Sequence, residues 1–102
     1  MSLRKYAVRL LRIAENDLAE IIAYIAAEQP SAAAGQLAKI ERTLGLLSKN
    51  PYLGKLPNDE HLIKLGYRCL IIDDYLAFYT VEGQIIFVHR IIHGARNHLS
   101  LL

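Results

Sequence analysis

Five side chains in the last 42 residues of this sequence are equipped to handle an anion: Arg68, Arg90, His93, Arg96 and Asn97. The planar fork of arginine donates to two oxygens at once, which suits it to phosphates and carboxylates. An imidazole ionises near neutral pH, so His93 can carry a proton in either direction. Cutting a phosphodiester without a metal needs a cation on the crowded phosphate and an acid and a base beside it. Arg68, His93 and Arg96 are the candidate catalytic set for that chemistry. Arg90, His93, Arg96 and Asn97 are the candidate binding set for a protein that docks on a target and leaves it chemically unchanged. Each also has a simpler role open to it. Arg68 and Arg90 fall in strand-like runs, where they could share one face of a sheet or pair with Asp73, Asp74 or Glu82. His93 could bond a backbone carbonyl. His89 reads as structural, and strand alternation should turn either it or Arg90 toward any helices packed on the sheet. Tyr67, Tyr75 and Tyr79 interleave with apolar residues as packing side chains, although tyrosines on a basic sheet can also stack on bases.

His61, His93, His98 and Cys69 match no metal-ligand spacing. The sequence carries no nucleophile elbow, phosphate loop or dinucleotide fingerprint. No metal or cofactor is expected.

The elements that must position these residues can be read from periodicity. Residues 4–11 are strand-like, with Tyr6, Val8 and Leu10 on one face. Over 13–28, Leu18, Ile21, Ile22 and Ile25 recur at helical spacing, with Glu15, Asp17 and Glu20 where they favour the helix dipole. Gln29-Pro30 ends that helix. Ser31 is the expected N-cap of a second helix, striped by Leu37, Ile40, Leu44 and Leu47 and running to about Lys49 before Asn50-Pro51. So short a break makes the two helices an antiparallel hairpin. Residues 51–60 are a loop. Strand signals follow at 61–65, 67–73, 75–82 and 85–92, with turns at Asp73-Asp74 and at Glu82-Gly83-Gln84. The order predicts an α+β domain spanning 1–102: an N-terminal strand, a two-helix hairpin, then a three- to four-stranded, mostly antiparallel sheet that the first strand completes.

A chain of 102 residues with 53% hydrophobic content builds one modest core and leaves apolar surface for a partner to cover. The net charge of +2 is too small to imply nucleic acid by itself. Its distribution says more: residues 1–60 hold eight basic and seven acidic side chains, whereas all four histidines lie beyond them with Arg68, Arg90 and Arg96. The single cysteine, Cys69, rules out an intrachain disulfide. No apolar run reaches membrane-spanning length and no signal peptide is recognisable, so a cytoplasmic location with no membrane contact is expected.

In sum, the segments Tyr6-Ala7-Val8, Asp17-Leu18 with Tyr24-Ile25, Asn50-Pro51 followed by Gly54, Leu65-Gly66-Tyr67-Arg68, Tyr75 to Val81 and Arg90-Ile91-Ile92-His93-Gly94-Ala95-Arg96-Asn97 make the chain resemble the RelE/ParE toxin superfamily over nearly its whole length. The resemblance implies the toxin of a type II toxin–antitoxin, plasmid-stabilising pair. The toxin would be wrapped by the C-terminal segment of a cognate antitoxin in a hetero-oligomer that meets operator DNA only through the antitoxin. The groove beside the helical hairpin is the expected seat of that segment. Two mechanisms come with the family: inhibition of DNA gyrase by ParE-like members, and ribosome-dependent mRNA cleavage by RelE-like members. In the nucleases the position after that of Tyr75 carries a catalytic arginine. Leu76 stands there in this chain, and the His93-Gly94-Ala95-Arg96-Asn97 ending is closer to the ParE-like pattern. The expectation is therefore a gyrase-binding toxin, with an mRNA interferase as the alternative and an inactive antitoxin-binding relic as a third reading.

Overall fold

A computed structural model describes residues 5–95. The chain enters as strand β1 (Ala7–Leu10) and turns at once into helix α1 (Arg12–Glu28). Helix α2 (Pro30–Gly45) follows after the single residue Gln29. A short helix α3 (Glu60–Lys64) then precedes β2 (Tyr67–Ile72), β3 (Tyr75–Glu82) and β4 (Ile85–His93). The strands form one sheet in the order β1-β4-β3-β2. The three later strands are antiparallel neighbours, and β1 lies parallel to β4. This is the expected α+β arrangement, completed by the first strand.

The helical hairpin covers one face of the sheet. Ile40 and Leu44 of α2, with Leu47 just beyond it, pack on Leu70, Ile72, Ala77, Tyr79, Ile86, Val88 and Ile91, all buried. From α1, Leu18 and Ile21 reach the same core, and only Ala14 is fully buried. A smaller cluster of Leu62, Cys69, Phe78 and Ile92 occupies the other face, with α3 supplying Leu62.

Three local expectations are corrected. Residues 61–65 are not a strand: the Asp59 carboxylate accepts from the Leu62 N–H and caps α3. With apolar residues at 62, 63 and 65, that segment satisfies either period, so the cap decides. Ser31 is not the N-cap of α2, because Pro30 already takes the first helical position, where its fixed φ fits and its missing N–H costs nothing. The α-helix also stops at Gly45 rather than Lys49, and tightens into a 3-10 turn over Leu46–Ser48 before Pro51.

Both hairpin loops are two residues long and place a positive φ first: Asp73 (54°) in one, Gly83 (63°) in the other. Asp73 tolerates this conformation because aspartate is among the residues that do so. Lys39 and Gln36 of α2 bond its carboxylate and hold it below the usual carboxylate pKa.

The loop before α3 is pinned at Gly54. Its N–H donates to the Tyr79 hydroxyl at 2.9 Å, deep in the core. Next to it, Lys55 exchanges two backbone hydrogen bonds with Cys69 along the edge of β2. A Cβ on residue 54 would lie 2.8 Å from the Cys69 carbonyl oxygen and from two atoms of Tyr79. Gly54→Ala must therefore push loop and sheet apart, at a cost of about 2 kcal/mol or more. Urea denaturation of the two proteins checks this, and an unchanged midpoint would show that the close approach is dispensable.

Candidate functional site

The candidate residues lie on or beside the sheet, and their strand partners decide which of them can meet. Arg68 pairs with Tyr79 of β3, and Arg90 pairs with its neighbour Phe78. Adjacent residues of a strand face opposite sides, so Arg68 and Arg90 do not share a face. His93 pairs with Tyr75 at the far end of β3. Arg68 and His93 are thus four residues along and two strands across from one another, about 16 Å at standard strand spacings. Arg96 and Asn97 lie outside the described residues.

Both candidate arginines among the described residues are engaged. Arg68 donates from Nε and Nη2 to the Gly54 carbonyl at 3.0 and 2.7 Å, and from Nη2 to the Tyr52 carbonyl at 3.3 Å. Its guanidinium carbon lies 5.4 Å from the centre of the Tyr52 ring. Arg90 forms a two-pronged bond with Asp17 of α1, Nε to Oδ2 at 2.8 Å and Nη2 to Oδ1 at 3.0 Å. Asp17 Oδ2 also accepts the backbone N–H of Ile91 at 3.0 Å. The two side chains keep only 14% and 12% of their surface exposed. The hydrogen bond from Asp17 raises the guanidinium pKa further and secures its charge.

This triple contact has a geometric cause. Strand β1 leaves the sheet after Leu10 pairs with Val88 and Leu11 N–H meets the Val88 carbonyl. From there on β4 has no strand on that side, and the Asp17 carboxylate serves Ile91 as a neighbouring strand would.

His93 closes β4 with its side chain exposed. Its Nδ1 accepts the Ala95 N–H at 3.1 Å, and its ring meets that of Tyr75 edge-on at 5.5 Å. Gly94 donates to the Asp74 carbonyl at 2.8 Å, and a Cβ there would stand only 3.3 Å from that oxygen. The chain therefore leaves the sheet in a tight turn, with the imidazole presented at its end.

A polar network unseen in the sequence lies on the face away from the helices. The β3–β4 register slips between Phe78 and Tyr79, so that His89 is the extra residue of a bulge. Of the pair His89 and Arg90, it is Arg90 that reaches a helix, at Asp17, while His89 joins Tyr67 and Thr80. The His89 Nε2 is 2.9 Å from Thr80 Oγ1, and its Nδ1 is 3.3 Å from the Tyr67 hydroxyl. Thr80 gives its own proton to Glu82 Oε2 at 2.9 Å. A neutral imidazole satisfies all three bonds only with its proton on Nε2, donating to Thr80 and accepting from Tyr67 on Nδ1. Burial pushes the His89 pKa below its ordinary value, against an opposing pull from the Glu82 carboxylate. The sequence signal that could have found this group is the polar pair Thr80 and His89 inside otherwise apolar strands.

Beside α1, α2 and β1 runs a groove of about 910 Å³, with Leu10, Leu18, Ile22 and Leu37 among its lining and Arg9, Glu15 and Glu41 as its charged members. Among the described residues no three or more histidine, cysteine, aspartate or glutamate side chains gather to hold a metal, and no helix is long and apolar enough to cross a membrane.

Residues 8–98 match the family described as the ParE toxin of the type II toxin–antitoxin system, parDE. The chain belongs to the ParE toxin family. The matched span takes in Arg90, His93, Arg96 and Asn97. Among solved structures, this ParE-family fold is similar to a chain of the chromosomal ParDE toxin–antitoxin system from P. aeruginosa, with 21% identity and a TM-score of 0.74 over 87% of this chain and 96% of that one. It is also similar to a chain of the RelBE2 toxin–antitoxin complex from Mycobacterium tuberculosis, with 22% identity and a TM-score of 0.61 over 93% and 98% of the respective chains. Comparison with curated proteins gave no significant match. The recognition of the RelE/ParE superfamily, with the ParE-like branch favoured, is borne out.

Two predictions follow from this geometry. Asp17→Ala takes the carboxylate from both Arg90 and Ile91 and should cost about 2–3 kcal/mol, given that the pair is largely but not fully buried. Replacing the pair together, as Asp17→Leu with Arg90→Met, should recover much of that loss. Denaturation of the single and double variants measures both, and equal stability of Asp17→Ala and the parent would refute the structural role. The second prediction concerns pH. The unfolded chain takes up a proton near the ordinary histidine pKa, whereas folded His89 takes it up at lower pH. Stability from His89 is therefore fully present above about pH 7 and falls as pH drops through 6.5 toward the folded pKa. Thermal melts between about pH 7.5 and 5 should show a shallower decline for His89→Gln than for the parent. Parallel declines would place the titration elsewhere.

Proposed function

We propose that this ParE-family toxin arrests growth by binding DNA gyrase, without chemistry of its own, and that its antitoxin lays an amphipathic segment in the groove between β1 and the helical hairpin. The observation that carries the first part is Leu76. In RelE-like nucleases, the family resemblance places a catalytic arginine at this position. Here the side chain is apolar and packs with Leu62, Cys69, Phe78 and Ile92. A leucine on such a surface binds no phosphate. The engagement of Arg68 with loop carbonyls and of Arg90 with Asp17 supports the same reading. The contacts left for a target are His93, presented by the turn at Gly94, and Arg96 and Asn97 that follow it in sequence. Arg90 then acts from behind, by holding the end of β4.

The groove supports the second part. It is largely apolar, it carries charge of both signs, and Arg9 and Leu10 of the edge strand β1 line it. One similar solved structure comes from a ParDE toxin–antitoxin system, and the other from a toxin–antitoxin complex. A cognate antitoxin that also carries operator binding completes the proposal, with the toxin acting in the cytoplasm.

The ribosome-dependent nuclease remains the competing mechanism, with Arg68 on the phosphate, His93 moving a proton and Arg96 stabilising the transition state. It requires Arg68 to leave the Gly54 carbonyl and to converge with a histidine at the other end of the sheet.

Induction without antitoxin, followed by parallel assays, separates the two. The expected result is growth arrest, loss of gyrase supercoiling by the purified toxin, and intact mRNA. His93→Ala together with Arg96→Ala should weaken gyrase inhibition by about tenfold or more while leaving folding unchanged. Ribosome-dependent mRNA cleavage with untouched supercoiling would reverse the assignment.

A further inference from the structure

At the sheet edge opposite the groove, the segment before β2 presents a second apolar surface. Among the described residues, Tyr52, Leu53, Leu56, Ile63 and Leu65 are five of the ten large hydrophobic side chains that stand exposed. They fall within a single stretch of sequence. Tyr52, Leu56 and Ile63 surround a recess of about 290 Å³ that Tyr67, Arg68 and Val81 close from the sheet side.

The loop presenting them is not slack. Arg68 ties the Tyr52 and Gly54 carbonyls and stacks on the Tyr52 ring. Tyr79 holds the Gly54 N–H, and Lys55 is hydrogen-bonded to Cys69. Exposed apolar side chains on a loop held this firmly lose little freedom when they bind, which is the condition under which such a surface contributes affinity. Residues 49–68 also contain Lys49, Lys55, Lys64 and Arg68 against only Asp59 and Glu60, an excess equal to the +2 of the whole chain. Asp59 is turned to the Leu62 N–H as the cap of α3.

We infer that this surface docks an acidic, amphipathic segment of the toxin's protein target, with an apolar side chain seated in the recess between Tyr52, Leu56 and Ile63 and carboxylates facing Lys55 and Lys64. The inference rests on the target-binding reading above and adds to it a second contact, at the end of the sheet away from His93. A target that touches both ends must be a large folded surface, in keeping with a protein rather than a short ligand. The apolar recess favours protein over nucleic acid, whose backbone would need cations in place of Leu56 and Ile63.

The test uses the full chain with two paired variants, Leu56→Ser/Ile63→Ser and Lys55→Glu/Lys64→Glu, and a Lys55→Arg/Lys64→Arg control. Each is scored for circular dichroism, for titration with the purified antitoxin, for growth arrest on induction and for inhibition of purified gyrase. The expected result is native folding and antitoxin affinity within about twofold, with growth arrest and gyrase inhibition weakened by about tenfold or more in the serine and glutamate pairs and retained in the arginine pair. Unchanged growth arrest in both weakened pairs overturns the proposal, and so does a comparable loss of antitoxin affinity, which would give the surface to the antitoxin. If the parent arrests growth without touching gyrase, the gyrase assignment falls while the growth-arrest comparison still decides the role of the surface.

Discussion

Where β1 turns away into α1, the sheet is left with an open edge on β4, and the Asp17 carboxylate closes it. One side chain accepts both prongs of Arg90 and the backbone N–H of Ile91. The contact joins the second turn of α1 to the last third of β4, two segments far apart in sequence. A buried ion pair of this kind adds little net stability over an apolar replacement, because desolvating both charges costs nearly what their attraction returns. Its effect here is geometric. It ties the open edge of β4 to α1 two residues before His93.

The register slip in β4 decides which face the end of that strand presents to the helices. Before the slip, Ile86 and Val88 face the helices. Beyond it, Ile91 faces them again, although it is an odd number of residues further on. The inserted residue is His89, which follows core-facing Val88 and lies on the outer face with Tyr67 and Thr80. A regular strand would have carried Ile91 to the outer face and left the core beneath α1 short of a large side chain. The slip keeps that core filled.

Arg68 shows how a side chain suited to phosphate can be absorbed by structure. Its strand position turns it to the helix side beside Tyr79, where the loop carbonyls of Tyr52 and Gly54 need donors. The same contacts stiffen the loop that displays Tyr52, Leu53 and Leu56. The arginine thus acts on the surface at the β2 edge indirectly, through backbone, and not as a free cation.

Read alone, the sequence determined the order of elements, the helical stripes of Leu18, Ile21, Ile40 and Leu44, the two hairpin turns and the family, because each depends on local periodicity, turn chemistry or contiguous motif residues. It could not decide the state of 61–65, where one capping carboxylate outweighed an ambiguous pattern. Nor could it decide which arginines share a face. Face and partner depend on register, and register depends on a single extra residue in β4 that has no sequence signature of its own. The pairing of Asp17 with Arg90 spans 73 positions and exists only because β1 ends before β4 does. Chemical type was legible residue by residue. What each group is free to touch was settled by the edges, faces and bulge of the folded sheet.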